Sequence, residues 1–188
     1  MVSPQWVIVA WLENEPAVAE ELAPMVGDHP PGHGVGGEGA PEPFELLDQE
    51  GAPVASADLS GTPHVLFFYP KASTPGCTKE ACAFRDLSSD FASLGVRVFG
   101  VSADSVKRQS NFAAKYELNM PLLSDPEHTI LEPWGIWAEK KNYGRTYMGI
   151  VRTTVLFDGQ GKVAHVWSPV RVKGHAEAVL EKARALFS

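Results

Sequence analysis

Seven consecutive residues at 64–70, HVLFFYP, constrain the fold of this chain more than any other segment. A strand with water on one face alternates apolar and polar side chains; this run does not, so it reads as a strand covered on both faces. KASTPG follows it, with the Pro and Gly that break a ladder. VRVFGVSA (96–103) is a second buried run. The residues between the two predict a helix from about Thr78 to Ser93. After the second run, Asp104 or Ser105 can cap a helix to about Leu118, with Val106, Ala113 and Tyr116 near one face.

The rest of the chain completes the pattern. PLLSD (121–125) suits a short strand, and TTVLFD and KVAHVW bracket GQG as a hairpin. A last helix over about 174–187 sets Ala176, Val179, Leu180, Ala183 and Leu186 on one stripe. Upstream, FELLD and PVAS flank the turn-like QEG as a further hairpin. Such an order gives an α/β fold with a central mixed β-sheet, parallel strands in the middle and helices on both faces. Among such folds the thioredoxin-like one fits best.

Residues 1–40 stand apart. A short apolar stretch, WVIVAWL, precedes an acidic, Ala-rich segment that suits a helix over about 13–23, and then DHPPGHGVGGEGAPEP, whose Pro and Gly deny the backbone a ladder. This part reads as an N-terminal extension and linker, with the domain spanning 41–188. A domain of about 150 residues buries roughly 68–70% of the surface its unfolded chain exposes and needs no disulfide scaffold. No apolar run approaches the roughly 18 residues that span a bilayer. The first Lys or Arg is Lys71, so the basic start of a secretory signal is missing, and a cytoplasmic location is the expectation.

The net charge of −7 is uneven: residues 1–70 hold eleven acids and no Lys or Arg, and the remainder holds twelve acids and sixteen bases. Neither part has the clustered cationic stripe of a nucleic-acid binder, and nothing marks a membrane patch.

Two cysteines lie in FYPKASTPGCTKEACAFRD (68–86). Cys77 falls in the expected first turn of a helix, where unpaired N–H groups and the helix dipole favour a thiolate over a thiol. Pro70 and Pro75 restrain the loop, and Thr74 and Gly76 offer a hydroxyl and a close backbone approach. Cys82 is five residues on. On an ideal helix the two Cα atoms are roughly 8.7 Å apart and about 140° apart around the axis. A disulfide tolerates at most about 7 Å, so a bond between them requires the helix to unwind. For a bare CxxxxC, inert core cysteines are the first reading. A zinc site would need four ligands and has no histidine close in sequence, and a thioredoxin-type exchanger would need CxxC.

A resemblance separates these alternatives. Pro70, Thr74 and Cys77 match the PxxxTxxC signature of peroxiredoxins, and Cys82 at its spacing resembles the PrxQ subfamily, also called bacterioferritin comigratory protein. The similarity continues through GVSADS (100–105), MPLLSDP (120–126), WGIW (134–137) and YMGIVRTTVLFDGQGKV (147–163), and covers essentially all of 41–188. It implies a peroxidase in which Cys77 is peroxidatic and Cys82 resolving. The sulfenic acid on Cys77 would condense with Cys82, and a thioredoxin-like dithiol protein would reduce the bridge. The resemblance further implies a catalytic Arg at Arg152, a supporting Glu at Glu80, the hydroxyl of Thr74, substrate contacts from Gly76, no bound metal or organic cofactor, and a monomer. Trp134, Trp137 and Tyr147 are expected to pack, and Lys71 and Lys79 to serve solubility.

A different class remains in view: a peroxide-responsive sensor or chaperone-like binder using the same bridge as a switch. Steady turnover separates the two. For any cysteine, lowering the pKa from about 8.5 to about 6 raises the thiolate fraction at pH 7 about thirtyfold. The accompanying loss of nucleophilicity takes back about tenfold. A large rate therefore needs charge stabilisation as the O–O bond breaks, a task for Arg152, Thr74 and the N–H groups around Gly76 and Cys77.

Overall fold

The computed structural model describes residues 41–188. The expectations for 1–40, including the helix over 13–23, lie outside the described residues. Nine strands and five helices follow in chain order: β1 (Glu45–Leu47), β2 (Pro53–Ala55), α1 (Ser56–Leu59), β3 (His64–Phe68), α2 (Pro75–Asp86), α3 (Ser88–Ser93), β4 (Arg97–Ser102), α4 (Val106–Lys115), β5 (Leu122–Ser124), β6 (Trp137–Asn142), β7 (Arg145–Ile150), β8 (Thr153–Phe157), β9 (Val163–Trp167) and α5 (His175–Phe187).

Seven strands form one mixed sheet in the order β2-β1-β5-β4-β3-β8-β9. β3 pairs in parallel with β4, and β4 with β5; β8 runs antiparallel on the other side of β3. All five residues of β3 are buried, as its unbroken apolar sequence requires. Alternate residues serve two cores. Leu66 and Phe68 pack with Phe99, Val101, Trp134 and Phe157 on one face. Val65, Phe67 and Tyr69 pack with Phe84, Phe112, Val179 and Leu180 on the other. Helices lie on both faces, but unequally: α2 to α5 cover the second, whereas α1 and the turns around Ile130–Ile136 cover the first.

One sequence expectation is corrected, and one element is new. The helix expected over about 78–93 begins at Pro75 and breaks at Leu87, where φ is −97° and ψ 8°. Proline is suited to the first helical position because its fixed φ fits and its missing N–H has no partner there anyway. Ser88 and Ser89, weak helix formers, make the break inexpensive. The ribbon β6–β7 was not legible as such. Its two-residue turn, Tyr143–Gly144, has positive φ at both positions (49° and 75°), the geometry that closes a tight hairpin, but Tyr in place of the usual Asn hides the signal.

Candidate active site

β3 delivers the chain to the top of the sheet, and Pro70, half-buried, follows directly. Thr74 is the N-cap of α2, with extended backbone (φ −82°, ψ 154°), and Pro75, Gly76 and Cys77 make the first turn. Thr78 N–H, 2.9 Å from the Thr74 carbonyl, closes the first helical bond, so the N–H groups of Gly76 and Cys77 have no acceptor within the helix. The Cys77 side chain is 1% exposed. Its sulfur therefore sits at the positive end of a twelve-residue helix, shielded from bulk water.

Arg152 reaches this sulfur from the far side of the chain. Its Nη2 donates to Cys77 Sγ at 3.3 Å, and its Nη1 donates to Glu80 Oε2 in a charged hydrogen bond. The residue lies between β7 and β8, and its backbone is held on both sides. Val151 N–H bonds the Ile136 carbonyl at 2.9 Å, and Val170 N–H bonds the carbonyl of Arg152 itself at 2.8 Å. Thr153 Oγ1 donates to the Val151 carbonyl at 2.8 Å and lies 2.9 Å from Ser168 Oγ. Gly76 is shaped to this arrangement: a Cβ there would come within 3.3 Å of Arg152 Nη2.

Glu80, one turn along from Cys77, is buried, and only one of its oxygens is bonded; Oε1 has no hydrogen-bond partner. Burial pushes its carboxyl up to about 7, against the opposing pull of Arg152. His175, at the start of α5, is also buried, with Nε2 2.8 Å from Thr154 Oγ1. Burial, and then the charge of Arg152, lower its pKa to about 4.

The hydroxyl of Thr74 donates to the Lys71 carbonyl at 2.8 Å. With its proton committed there, the oxygen keeps acceptor capacity at the N-cap of the cysteine helix. Behind the loop lies a buried polar network that the sequence reading did not anticipate. Asp104 Oδ2 accepts from Ala72 N–H at 2.7 Å and from Ser102 Oγ at 2.8 Å, and Oδ1 pairs with Arg108 at 3.0 Å. Gln109 Nε2 donates to Ser102 Oγ and to the Leu123 carbonyl, and its Oε1 accepts from the Tyr69 hydroxyl. Of the two capping candidates, Ser105 caps α4, accepting from Arg108 N–H at 3.4 Å, which leaves Asp104 to hold the cysteine loop.

Both cysteines are free thiols, and both belong to α2. Cys82 is partly buried against the helical core. Lys71 and Lys79 are exposed, Trp134 is core, Trp137 stacks on His128 at 3.8 Å, and Tyr147 is 46% exposed. No group of three or more potential metal ligands occurs among the described residues.

A mixed thioredoxin-like sheet that presents a helix N-terminal cysteine to an arginine defines a thiol peroxidase scaffold, and comparison with known proteins agrees. The AhpC/TSA family matches residues 37–166, and the chain belongs to that family, among the Bcp and PrxQ peroxiredoxins. Peroxiredoxin Bcp of Escherichia coli is 43% identical over 144 residues, 77% of this chain and 92% of that protein. Peroxiredoxin Bcp of Bacillus subtilis is 43% identical over 145 residues, with the same coverage of each. Among solved structures, a bacterioferritin comigratory protein of Xanthomonas campestris, described by its alkyl peroxide reduction activity, superposes with a TM-score of 0.74 at 37% identity. That match covers 77% of this chain and 92% of the other. BcpB of Mycobacterium tuberculosis superposes with a TM-score of 0.70 at 41% identity, covering 80% and 97%.

The chain is accordingly a peroxidase that acts on peroxides with thiol reductants.

Proposed function

We propose that this chain reduces hydrogen peroxide and organic hydroperoxides through a sulfenic acid on Cys77 and an intramolecular disulfide with Cys82, with a thioredoxin-like dithiol protein as reductant. The thiolate of Cys77 attacks the terminal peroxide oxygen. The O–O bond breaks, the sulfur is oxidised to the sulfenic acid, and the alcohol or water leaves with a proton. The Cys82 thiolate then attacks the sulfenic sulfur, releasing water and forming the bridge. Two thiols of the reductant return both cysteines to the free state.

Arg152 stabilises charge on sulfur and on the breaking O–O bond, the acceptor oxygen of Thr74 orients the peroxide proton, and the N–H groups of Gly76 and Cys77 hold the leaving oxygen. Pro70 and Glu80 support, the one by restraining the loop and the other by holding Arg152. The cycle calls for neither a metal nor an organic cofactor. Both cysteines belong to one chain, so a monomer suffices, and a reducing compartment such as the cytoplasm suits the return step.

The observation that carries this reading is the 3.3 Å contact of Arg152 Nη2 with Cys77 Sγ, on a helix that also bears the free Cys82. Its test is peroxide-dependent NADPH oxidation with thioredoxin and thioredoxin reductase, run on wild type, Cys77→Ser and Cys82→Ser. Turnover should vanish in Cys77→Ser and fall sharply in Cys82→Ser. Full turnover in Cys82→Ser would overturn the disulfide route.

A further inference from the structure

We propose that the outer edge of β7 is a docking site for this chain's own apolar segment WVIVAWL, residues 6–12, which adds to the β6–β7 ribbon as a third, antiparallel strand. Among the described residues β6 and β7 pair only with each other, so the outward N–H and C=O groups of both strands have no ladder partner there. A lone two-stranded ribbon is marginal in water, and an unpaired edge is a template for a further strand. The two edges differ in chemistry. β6 reads WAEKKN, and its run of charges guards its edge, whereas β7 reads RTYMGI and carries no charge after Arg145. Tyr147 and Met148 are 46% and 53% exposed, and as neighbours on a strand they point to opposite faces of the ribbon.

The strand that completes this edge must therefore be apolar on both faces, and within residues 1–40 that stretch is WVIVAWL, rich in the β-branched and aromatic residues that favour strands. Its direction follows from charge. Glu13 and Glu15 come directly after it, and Lys141 and Arg145, both exposed, flank the tip of the ribbon. A strand running from the base of the ribbon to its tip, antiparallel to β7, brings those acids to those bases. The chain also enters the fold at a suitable place. The Phe44 ring lies 5.8 Å from that of Trp134, in the same core cluster as Ile136 and Ile150 at the base of the ribbon. Even wound as helix, at about 1.5 Å per residue, the roughly 30 residues from Glu13 to Phe44 reach about 45 Å, against roughly 20 Å for a strand of β7's length. This tether holds the segment near the edge at an effective concentration on the order of millimolar, which favours it over a second copy or a foreign strand.

The test is amide hydrogen exchange of the full chain, read at the β7 amides that face away from β6, with β3 as the internal reference. Val9→Pro removes an N–H from the middle of the segment and so breaks its ladder. It should speed exchange of those β7 amides about tenfold or more and leave β3 unchanged. Arg145→Glu should speed it about two- to fivefold, and adding Glu13→Lys and Glu15→Lys should reverse that rise. Equal exchange in wild type and Val9→Pro would overturn the proposal, as would a rise that extends equally to β3. Protection that grows with protein concentration would overturn it in favour of a second copy on the edge, and protection that appears only on adding a thioredoxin-like protein would overturn it in favour of a foreign strand.

Discussion

Glu80 and Arg152, separated by 72 residues in sequence, form a charged hydrogen bond at the base of the cysteine turn, with side-chain exposures of 1% and 16%. Arg152 thereby faces two partners at once, the carboxylate through Nη1 and the sulfur through Nη2. Breaking a buried pair by removing one member strands the other, which is costly in itself, typically about 3–5 kcal/mol. The arrangement therefore couples the stability of α2 to the chemistry at its N-terminus.

Removal of the guanidinium is expected to cost more than thiolate. Arg152→Ala should lower the rate constant for peroxide attack by about 10²–10³, the loss usual for one oriented donor at a developing charge. The thiolate absorbance of Cys77 at the same pH should change far less. Stopped-flow oxidation and ultraviolet titration of the Cys82→Ser background measure the two, and equal losses would sink the idea.

Gly76→Ala should separate stability from activity. Alanine favours a helix over glycine by up to about 1 kcal/mol, so the melting temperature should hold or rise. Its Cβ, however, would come within 3.3 Å of Arg152 Nη2 and displace the guanidinium. Peroxide turnover should then drop about tenfold or more, given how steeply rate depends on alignment. A variant as active as wild type would show that Arg152 has room to yield.

Asp104→Ala should act on the same chemistry from behind. It leaves Ala72 N–H and Ser102 Oγ without their buried acceptor and frees Arg108, at a cost of about 1–3 kcal/mol in urea unfolding. The loop between β3 and α2 loses its anchor, so peroxide reduction should slow while alkylation by iodoacetamide stays near the wild-type rate. Unimpaired peroxide reduction would confine Asp104 to a purely structural role.

The pH profile of stability should hold two opposed contributions. Glu80, raised from 4.5 to about 7 by burial, binds more protons folded than unfolded, so its contribution is present below about 4.5 and is lost as pH rises to about 7. His175, lowered from 6.5 to about 4 by burial and then Arg152, binds fewer protons folded, so its contribution is present above 6.5 and is lost as pH falls toward 4. The windows overlap and the signs oppose. Glu80→Gln should therefore gain stability relative to wild type as pH rises from 5 to 7, and His175→Gln should gain relative to wild type as pH falls over the same range. Chemical denaturation at pH 5, 6 and 7 reads both differences, and parallel profiles for all three proteins would refute the assignment.

What the sequence disclosed, and what it concealed, divides by range. The unbroken apolar run of β3, the apolar stripe of α5 and the placement of Cys77 in a first helical turn are local patterns, and each could be read directly. The positions of Arg152 and Glu80 followed from resemblance, because nothing within a few residues of either marks a partner 72 residues away. The Asp104 network was concealed for the same reason: its bond to Ala72 spans 32 residues, and the Tyr69–Gln109 bond spans 40. The β6–β7 ribbon was missed on chemistry rather than distance, since a Tyr–Gly turn with two positive φ values departs from the Asn–Gly pattern that announces such hairpins.

The helix that carries both cysteines is uneven in its makeup. Its opening residues after Pro75, namely Gly76, Cys77 and Thr78, are among the weaker helix formers, whereas Lys79, Glu80, Ala81, Ala83 and Arg85 in the remainder are among the better ones. A segment built this way is expected to open more readily at its first turn, which holds Cys77, than in the remainder, which holds Cys82. Local opening, which in a folded protein spans free energies from near zero to the global value, then becomes the clock of any cycle that joins Cys77 to Cys82. Hardening the first turn should raise the melting temperature and slow the catalyst, so working speed and heat resistance should draw on the same three residues in opposite directions.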